Sequence, residues 1–431
     1  MEYVTITLSN QAVTVALELP ADRRWRIEDS LAELQLLAST AGLSVSSRFV
    51  NKRQSPSAAY YIGSGKVEEI KNYCQLNAIS HVLFDDNLTP AQEKNLAKKF
   101  GDDICVMDRT ELILNIFSRR AKSKEGKLQI ELAQLEYMLP RLTRQWTHLI
   151  HQEGASGGMA WVKGKGEKQL EMDRRQIRHR ITIIKKELLE VENYRMVQRK
   201  RRQRNSLPVI AIIGYTNAGK STLLNSLTDA GALAEDKLFA TLDPTARRYI
   251  LPNNQPVLFI DTVGFIKKLP HNLVEAFNAT LEEVRQADIL LHVLDASDEK
   301  LEDRKNVVEE VLKELGAHEK TMITAINKID LMETQQIIPS LQRSLSPCVS
   351  ICAKTGEGFQ ELFKTIASHT SSLRIRAKVL IPFDKHHLVA SLYKHGKVYV
   401  RKDLPEGILL DAEVDRAVAH LFIEFSINGR E

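Results

Sequence analysis

A short apolar run that leads straight into a glycine-rich loop constrains this chain more than any other stretch. Residues 209–221 read VIAIIGYTNAGKS and match the phosphate-loop pattern G-x-x-x-x-G-K-[ST]. Glycines let successive backbone N–H groups curl around a phosphate, Lys220 brings a positive charge to its oxygens, and the Ser221 hydroxyl is a ligand for Mg²⁺. The helix predicted over Thr222–Leu227 adds N–H groups and the positive end of its dipole. This order of strand, loop and helix predicts a nucleotide-binding α/β domain.

Four further motifs follow the loop and are linked to it by predicted strands. They are F-A-T-L-D at Phe239–Asp243, D-T-V-G at Asp261–Gly264, N-K-I-D at Asn327–Asp330 and C-A-K at Cys352–Lys354. Thr241 and Asp261 complete an Mg²⁺ site, and the Gly264 N–H meets a γ-phosphate. Asp330 accepts both the N1–H and the exocyclic amine of guanine, a pair that adenine does not offer, and C-A-K places a backbone N–H near the guanine O6. The motifs together predict a site for GTP or GDP with Mg²⁺.

The predicted site can be written out residue by residue. Its nucleotide-binding residues are Gly214, Tyr215, Thr216, Asn217, Ala218, Gly219, Lys220, Ser221, Thr222, Phe239, Ala240, Thr241, Leu242, Asp243, Asp261, Thr262, Val263, Gly264, Asn327, Lys328, Ile329, Asp330, Cys352, Ala353 and Lys354. Its catalytic groups are Lys220, Thr241 and Gly264, and its metal ligands are Ser221, Thr241 and Asp261. Phe265 stands where many small GTPases have a water-orienting Gln, which predicts slow hydrolysis that a partner stimulates.

Length and composition indicate a multidomain protein without a membrane span. The chain has 431 residues, 43% of them hydrophobic, and no apolar run approaches the 18 or so residues that a membrane helix needs. The N-terminus lacks the basic and apolar regions of a secretory signal. The four cysteines lack metal-ligand spacing, which favours reduced thiols in a cytoplasmic protein.

Charge is distributed unevenly along the chain. Residues 118–204 hold 22 Lys and Arg but only 10 Asp and Glu, so the remainder of the chain is mildly acidic although the whole has a net charge of +5. A localised basic segment predicts contact with a polyanion such as RNA. The alternative is a solvated charged helical face.

Hydrophobic periodicity predicts a multidomain α/β fold with four parts. Residues 1–117 form a small α/β domain, 118–206 a basic antiparallel helical hairpin, 207–372 a doubly wound GTPase sheet, and 373–431 a small α+β domain. The predicted strands include Tyr3–Leu8, Val13–Leu19, His81–Phe84, Ile104–Met107, Val209–Ile213, Val257–Ile260, Ile289–Leu294, Met322–Ile326, Val349–Ile351, Val379–Pro382, Lys397–Arg401 and Leu421–Phe425. Thr89 and Pro90 predict the cap and first residue of a helix over Pro90–Phe100.

The hairpin prediction rests on two apolar stripes. The first comprises Leu128, Leu132, Leu135, Leu139, Leu142, Trp146 and Leu149, and the second comprises Ile177, Ile181, Ile184, Leu188 and Val191. Pro140 is expected to kink the first helix. Pairing with another chain as a coiled coil is the alternative to a hairpin.

Two stretches flank the second stripe. The glycine- and lysine-rich segment 151–167, with Trp161, predicts a tip that contacts RNA, and a linker without function is the alternative. The six basic residues of Arg195–Arg204, predicted to follow the second helix, favour further phosphate contacts.

With these residues in view, the chain resembles the HflX family of translational GTPases over nearly its full length. The matching runs are Tyr61–Ile70, Phe84–Leu96, Asp108–Phe117, Glu125–Leu135, Arg144–Leu149, Gln169–Ile181, Gly214–Asn225, Phe239–Arg248 and Asp261–His271. Lys165 departs from the family pattern, in which Pro is usual, and Cys352 stands where Ser is common.

The resemblance implies a cytoplasmic GTPase that binds the large ribosomal subunit and its RNA and, as several members of the family do, splits or rescues stalled ribosomes. We also expect a monomer. The resemblance also implies that the glycine-rich tip reaches toward the peptidyl transferase centre and that Asn217 supports K⁺ dependence. Two alternatives remain open: a GTPase of large-subunit assembly, and an RNA-binding scaffold that uses GTP only as a structural ligand.

Overall fold

The computed structural model describes residues 10–20, 27–142, 167–204, 207–228, 239, 244–268, 278–331, 338–345, 347–371, 374–415 and 419–427. The chain divides into two compact units. The first comprises Met1–Val191, Asp236–Leu242 and Lys268–Asn278, and the second comprises Glu192–Glu235, Asp243–Lys267 and Ala279–Glu431. The predicted fold class, a multidomain α/β protein with a doubly wound nucleotide sheet, is confirmed. No helix in the described ranges is long and apolar enough to cross a membrane.

The first unit contains a four-stranded parallel sheet. Its strands are β1 (Gln11–Glu18), β2 (Ser44–Lys52), β3 (His81–Phe84) and β4 (Cys105–Met107), in the order β2-β1-β3-β4. The helices of this part are α1 (Ile27–Thr40), α2 (Ser64–Leu76), α3 (Pro90–Phe100) and α4 (Arg109–Arg120). Strands β1 and β3 carry almost unbroken buried apolar runs, as parallel strands with both faces covered do. Strand β2 was not predicted, and Tyr3–Leu8 lies outside the described residues.

Helix α3 begins where the sequence predicts. The Thr89 hydroxyl accepts the Gln92 N–H at 3.2 Å, and Gln92 Oε1 accepts the Thr89 N–H at 3.0 Å. Pro90 occupies the first helical position, where its missing N–H costs no hydrogen bond. This reciprocal capping box explains why the local sequence alone fixed the helix start.

The basic region forms helices whose bounds differ from the prediction. Helix α5 (Lys124–Met138) is followed by a 3₁₀ turn over Leu139–Arg141, which confirms the disruption expected at Pro140. Helix α6 (Glu167–Arg204) is continuous, so the run Arg195–Arg204 extends the second helix and does not follow it. The tip segment 151–166 lies outside the described residues.

Helix α5 is joined to α6 by an ion pair, and its buried face differs from the predicted one. Arg180 donates to the two carboxylate oxygens of Glu131 at 2.6 and 2.8 Å, and so joins α6 to α5. In α5 the buried side chains include Ile130, Ala133 and Tyr137 rather than the predicted stripe beyond Leu128. The physical reason is that α5 also packs on α4, which turns a different face of the helix toward the core.

Arg141 is a buried cation of the first unit, and several elements supply its partners. Its Nε donates to Glu93 Oε2 at 2.7 Å, its Nη2 donates to the Leu88 carbonyl at 2.7 Å, and its Nη1 donates to the Tyr137 carbonyl at 3.1 Å. The carboxylate of Asp108, the cap of α4, lies 3.4 Å from Nη2. The guanidinium is therefore matched by the protein's own acceptors.

The second unit contains a six-stranded sheet. Its strands are β5 (Val209–Gly214), β6 (Thr245–Ile250), β7 (Pro256–Asp261), β8 (Ile289–Asp295), β9 (Thr321–Asn327) and β10 (Cys348–Ser350), in the order β10-β9-β8-β5-β7-β6. All neighbours are parallel except the edge strand β6, which was not predicted and pairs antiparallel with β7. The helices are α7 (Lys220–Thr228), α8 (Asn278–Gln286), α9 (Leu301–Glu314), α10 (Ile338–Ser344) and α11 (Phe359–Ser371). The motifs of the predicted site follow the carboxyl ends of β5, β7, β9 and β10, where ligands of such sheets bind.

The C-terminal part contains an antiparallel sheet and corrects one prediction. Its elements are β11 (Arg374–Ile381), α12 (His386–His395), β12 (Gly396–Leu404) and β13 (Gly407–Asp415), with the strand order β11-β13-β12. The strand predicted at Leu421–Phe425 is wrong, because His420–Phe425 forms a 3₁₀ helix. In that 3₁₀ helix Phe422 is buried while Leu421 and Ile423 are exposed, so one buried side chain, and not the repeated alternate-residue face of a strand, accounts for this apolar run. The missed strand β13 has such a face, since its even-numbered residues from 408 to 414 are buried.

Candidate nucleotide site

The phosphate loop is fixed by backbone conformations that favour glycine. Gly214 and Gly219 have φ values of +150° and +96°, and Asn217 has a φ of +63°. A Cβ on Gly214 would lie 2.4 Å from the Val293 carbonyl oxygen, and so no larger residue fits beside β8. The structure thus has the strand β5, the loop and the helix α7 in the order that the motif predicts.

Lys220 is a buried cation at the first position of α7. Its side chain is 6% exposed, and its Nζ donates to the Tyr215 carbonyl at 2.7 Å. Burial lowers the pKa of Lys220 to about 8, and the more distant Asp261 carboxylate opposes this shift. No carboxylate among the described residues forms an ion pair with it. A phosphate group of a ligand would supply the missing negative charge.

Two oxygens beside the loop suit Mg²⁺. Ser221 Oγ donates to Asp261 Oδ2 at 2.7 Å, and Asp261 lies 1% exposed at the end of β7. Within the described part of the chain, no three His, Cys, Asp or Glu side chains form a metal site of their own. Mg²⁺ commonly takes one or two protein oxygens together with substrate phosphates and water, so this pair of oxygens fits it. The third predicted ligand, Thr241, lies outside the described residues.

The D-T-V-G segment is hydrogen-bonded to the phosphate loop. Thr262 Oγ1 donates to the Ile212 carbonyl at 2.7 Å. The Phe265 N–H donates to the Gly214 carbonyl at 3.1 Å, and the Thr216 N–H donates to the Phe265 carbonyl at 2.8 Å. These bonds bring Gly264 so close to the loop that a Cβ on it would lie 2.9 Å from Lys220 Nζ.

Asn327 connects the base-recognition motifs to the phosphate loop. At the end of β9, its Nδ2 donates to the Ala218 carbonyl at 2.9 Å, and its Oδ1 accepts the Ala353 N–H at 2.9 Å. Lys328 Nζ lies 2.6 Å from Asp295 Oδ2, while the Asp330 side chain is exposed. The structure therefore brings the phosphate loop, N-K-I-D and C-A-K to one edge of the sheet.

Of the predicted motif Phe239–Asp243, the structure describes only Phe239. Phe239 is buried in the first unit, where its ring meets that of Phe117 edge-on with centroids 4.5 Å apart. The rest of that motif, Ala240–Asp243, lies outside the described residues. Phe239 therefore packs within the first unit, and its part in nucleotide binding stays a prediction.

Two contacts of the site were missed from the sequence. Asp295 ends β8 and pairs with Lys328, a placement that the carboxyl end of a predicted strand could have indicated. The Tyr215 hydroxyl accepts the Lys267 N–H at 2.9 Å, and no pattern in the sequence points to this contact.

Known protein families match nearly the whole chain. The matching descriptions are, in chain order, GTP-binding GTPase N-terminal over residues 28–118, GTP-binding GTPase Middle Region over 120–202, 50S ribosome-binding GTPase over 209–328 and HflX C-terminal domain over 341–420. A protein of Caldanaerobacter subterraneus named GTPase HflX is 46% identical over 402 residues, which cover 93% of this chain and 91% of that protein. The Escherichia coli protein of the same name is 42% identical, covering 89% and 88%.

A solved structure also matches. It is a GTP-binding protein from Sulfolobus solfataricus in complex with GDP, 26% identical, and the match covers 84% of this chain and 99% of that one with a TM-score of 0.44. The identity and coverage of the GTPase HflX proteins decide the family independently of this structure. The chain belongs to the HflX family of GTPases, and its nucleotide-binding part is a ribosome-binding GTPase domain.

Proposed function

We propose that this chain binds and hydrolyses GTP with Mg²⁺ and uses the cycle to split or rescue stalled ribosomes on the large subunit. The observation that carries the nucleotide part is the position of Asn327. Its two hydrogen bonds hold the base-recognition motifs and the phosphate loop at one sheet edge, with the buried Lys220 beside them. All the predicted nucleotide-binding residues are proposed for this site.

Hydrolysis in this site requires positioned charge more than covalent chemistry. Lys220 neutralises charge at the β- and γ-phosphates, and the Gly264 N–H donates to the γ-phosphate. Ser221 and Asp261, joined by Thr241, would hold Mg²⁺, which neutralises further phosphate charge when bound. Asn217 is the residue proposed to support a K⁺ ion.

The burial of Phe265 is consistent with slow GTP hydrolysis by the protein alone. It is 1% exposed and packed inside the second unit, where an apolar ring cannot orient the attacking water. We therefore assign a partner the task of ordering Thr241 and the D-T-V-G segment.

The large ribosomal subunit and its RNA are the proposed partner. The family description of residues 209–328 names the 50S ribosome, and the basic residues Arg175 and Arg178 are exposed on α6. Basic side chains on a long helix suit RNA phosphates. We propose a monomer acting in the cytoplasm, with the four domains 1–117, 118–206, 207–372 and 373–431.

Two measurements test this function. GTP turnover is measured with and without large subunits, and sucrose gradients of intact ribosomes are run with the protein and GTP. We expect stimulated turnover and conversion of intact ribosomes into subunits. Stimulated turnover with an unchanged intact-ribosome peak would favour a role in subunit assembly, and binding of GTP without turnover would favour the scaffold alternative.

A charge-reversal pair tests the ribosome contact. Arg175→Glu with Arg178→Glu is expected to weaken large-subunit binding by about tenfold or more and to leave GTP binding unchanged. The matched control is Lys313→Glu on α9 with Lys364→Glu on α11, two lysines that are also exposed. Equal effects of both variants would show that net charge alone, and not the α6 face, governs binding.

A further inference from the structure

The side chain of Tyr215 joins the phosphate loop to the segment that follows D-T-V-G. Tyr215 is 4% exposed, and its hydroxyl accepts the Lys267 N–H at 2.9 Å. Its carbonyl at the same time accepts a hydrogen bond from Lys220 Nζ. One residue therefore contacts both the phosphate-binding lysine and the segment three residues beyond Gly264.

The ring of Tyr215 is held from its other side. The guanidinium of Arg304 on α9 lies 5.0 Å from the ring centroid, within the range of a cation–π interaction. Arg304 is itself ion-paired with Asp298, which lies in the short turn before α9. These contacts restrict the orientation of the ring and thus the position of its hydroxyl.

The Tyr215 hydroxyl adds a third hydrogen bond to a short ladder. The first two are the backbone bonds of Phe265 with Gly214 and Thr216. They hold Phe265, but Gly264 lies at the start of the ladder and Lys267 at its far end. Loss of the hydroxyl removes the bond at Lys267, so the segment from Gly264 to Lys267 has one restraint fewer on its position beside Lys220.

We propose that Tyr215 is a positioning residue that holds the Gly264 N–H at the γ-phosphate and thereby sets the preference for GTP over GDP. The geometry gives the direction, since Gly264 already lies against the ammonium group that binds the same phosphate. GDP has no γ-phosphate, so its affinity does not depend on Gly264. The inference rests on the proposed function, because it concerns the same GTP site.

Tyr215→Phe removes only the hydroxyl. We expect the affinity for a non-hydrolysable GTP analogue to fall by about fivefold, as the loss of one hydrogen bond gives. The affinity for GDP should change by less than about twofold, and the rate of GTP turnover should fall with the analogue's affinity. Tyr249→Phe is the matched control, because Tyr249 stacks on Phe363 in the same sheet domain.

A double-mutant cycle tests the support from α9. Arg304→Leu is expected to lower the GTP-analogue affinity by a smaller factor than Tyr215→Phe, also with GDP affinity unchanged. Both substitutions act through the same hydroxyl. The affinity of the double variant for the GTP analogue should therefore fall by less than the product of the two single-variant factors. Circular dichroism of each variant verifies that the fold is retained.

The outcomes separate this inference from the proposed function. Equal changes in GTP-analogue and GDP affinity, or tighter binding of the GTP analogue by Tyr215→Phe, would overturn the positioning role while wild-type turnover still supports the GTPase. A wild-type protein that binds neither nucleotide would overturn both.

Discussion

Lys220 and Arg141 are both buried cations, but their surroundings shift their pKa values in opposite directions. Burial lowers the pKa of Lys220 to about 8, and the Asp261 carboxylate opposes this shift. Burial also acts to lower the pKa of Arg141, yet the surrounding acidic groups Tyr137, Asp108 and Glu93 outweigh it and raise that pKa. The fold itself compensates the charge of Arg141, whereas we propose that an anionic ligand compensates the charge of Lys220.

This difference distinguishes a structural charge from a functional one. A buried ion that is paired and hydrogen-bonded holds elements together, and its removal leaves its partners uncompensated. A buried ion with carbonyl acceptors alone favours the arrival of opposite charge. The comparison predicts that variants at Arg141 change stability and that variants at Lys220 change ligand binding.

Arg141→Met should have the largest effect. It leaves the carboxylates of Glu93 and Asp108 buried without their cation, which costs about 3–5 kcal/mol of stability in the first unit. Amide hydrogen exchange in α4 measures this loss as a lower free energy of opening. The control is Arg178→Met on the exposed face of α6, for which about 0.5 kcal/mol or less is expected. Similar protection factors in α4 for both variants would refute the structural role of Arg141.

Lys220→Ala should come second. Loss of the charge at the β- and γ-phosphates is expected to weaken GTP binding by about 100-fold, or about 3 kcal/mol, while the protein stays folded. Titration with a fluorescent GTP analogue measures the affinity, and Lys364→Ala on the exposed side of α11 is the control. Normal GTP binding by Lys220→Ala would mean that the phosphate loop is misassigned.

The pH dependence of stability should reveal the acidic side of the Arg141 cluster. Burial raises the pKa of Glu93 from 4.5 to about 7 although Arg141 opposes the shift. The folded state then keeps a proton that the unfolded state releases, so stability is lost as pH rises from about 4.5 to about 7, by an amount on the order of 2–3 kcal/mol. Glu93→Gln keeps the acceptor for Arg141 but does not titrate, and its stability should vary less over this window. Parallel pH profiles of exchange in α4 for the two proteins would contradict the assignment.

The pH dependence of GTP binding should show the smallest effect. In the free protein Lys220 loses its proton above pH 8, whereas in the complex the negative charge of the bound phosphates keeps Lys220 protonated. Affinity should therefore fall by up to about tenfold per pH unit above pH 8. Lys220→Ala removes the titrating group, so its weak residual binding should lack this slope, and a slope that persists would have to come from another group.

Several parts of the fold were predictable because their causes are local. The capping box at Thr89 lies within four residues, and the positive φ values of Gly214 and Gly219 are needed within one loop. Strands β5, β8 and β9 are predominantly apolar, which is the pattern of buried parallel strands. The edge strand β6, TARRYI, has no buried residue and no apolar run, and it was missed.

The phosphate loop, the order of the guanine motifs and the family could be predicted from the chain alone, because each depends on residues close together in it. Which charges are compensated follows from the packing of distant elements. Glu93 and Arg141 are 48 positions apart, and Tyr215 and Lys267 are 52 apart, so no periodicity or spacing predicts that they meet. Burial fixes their energies, and burial depends on how distant elements pack.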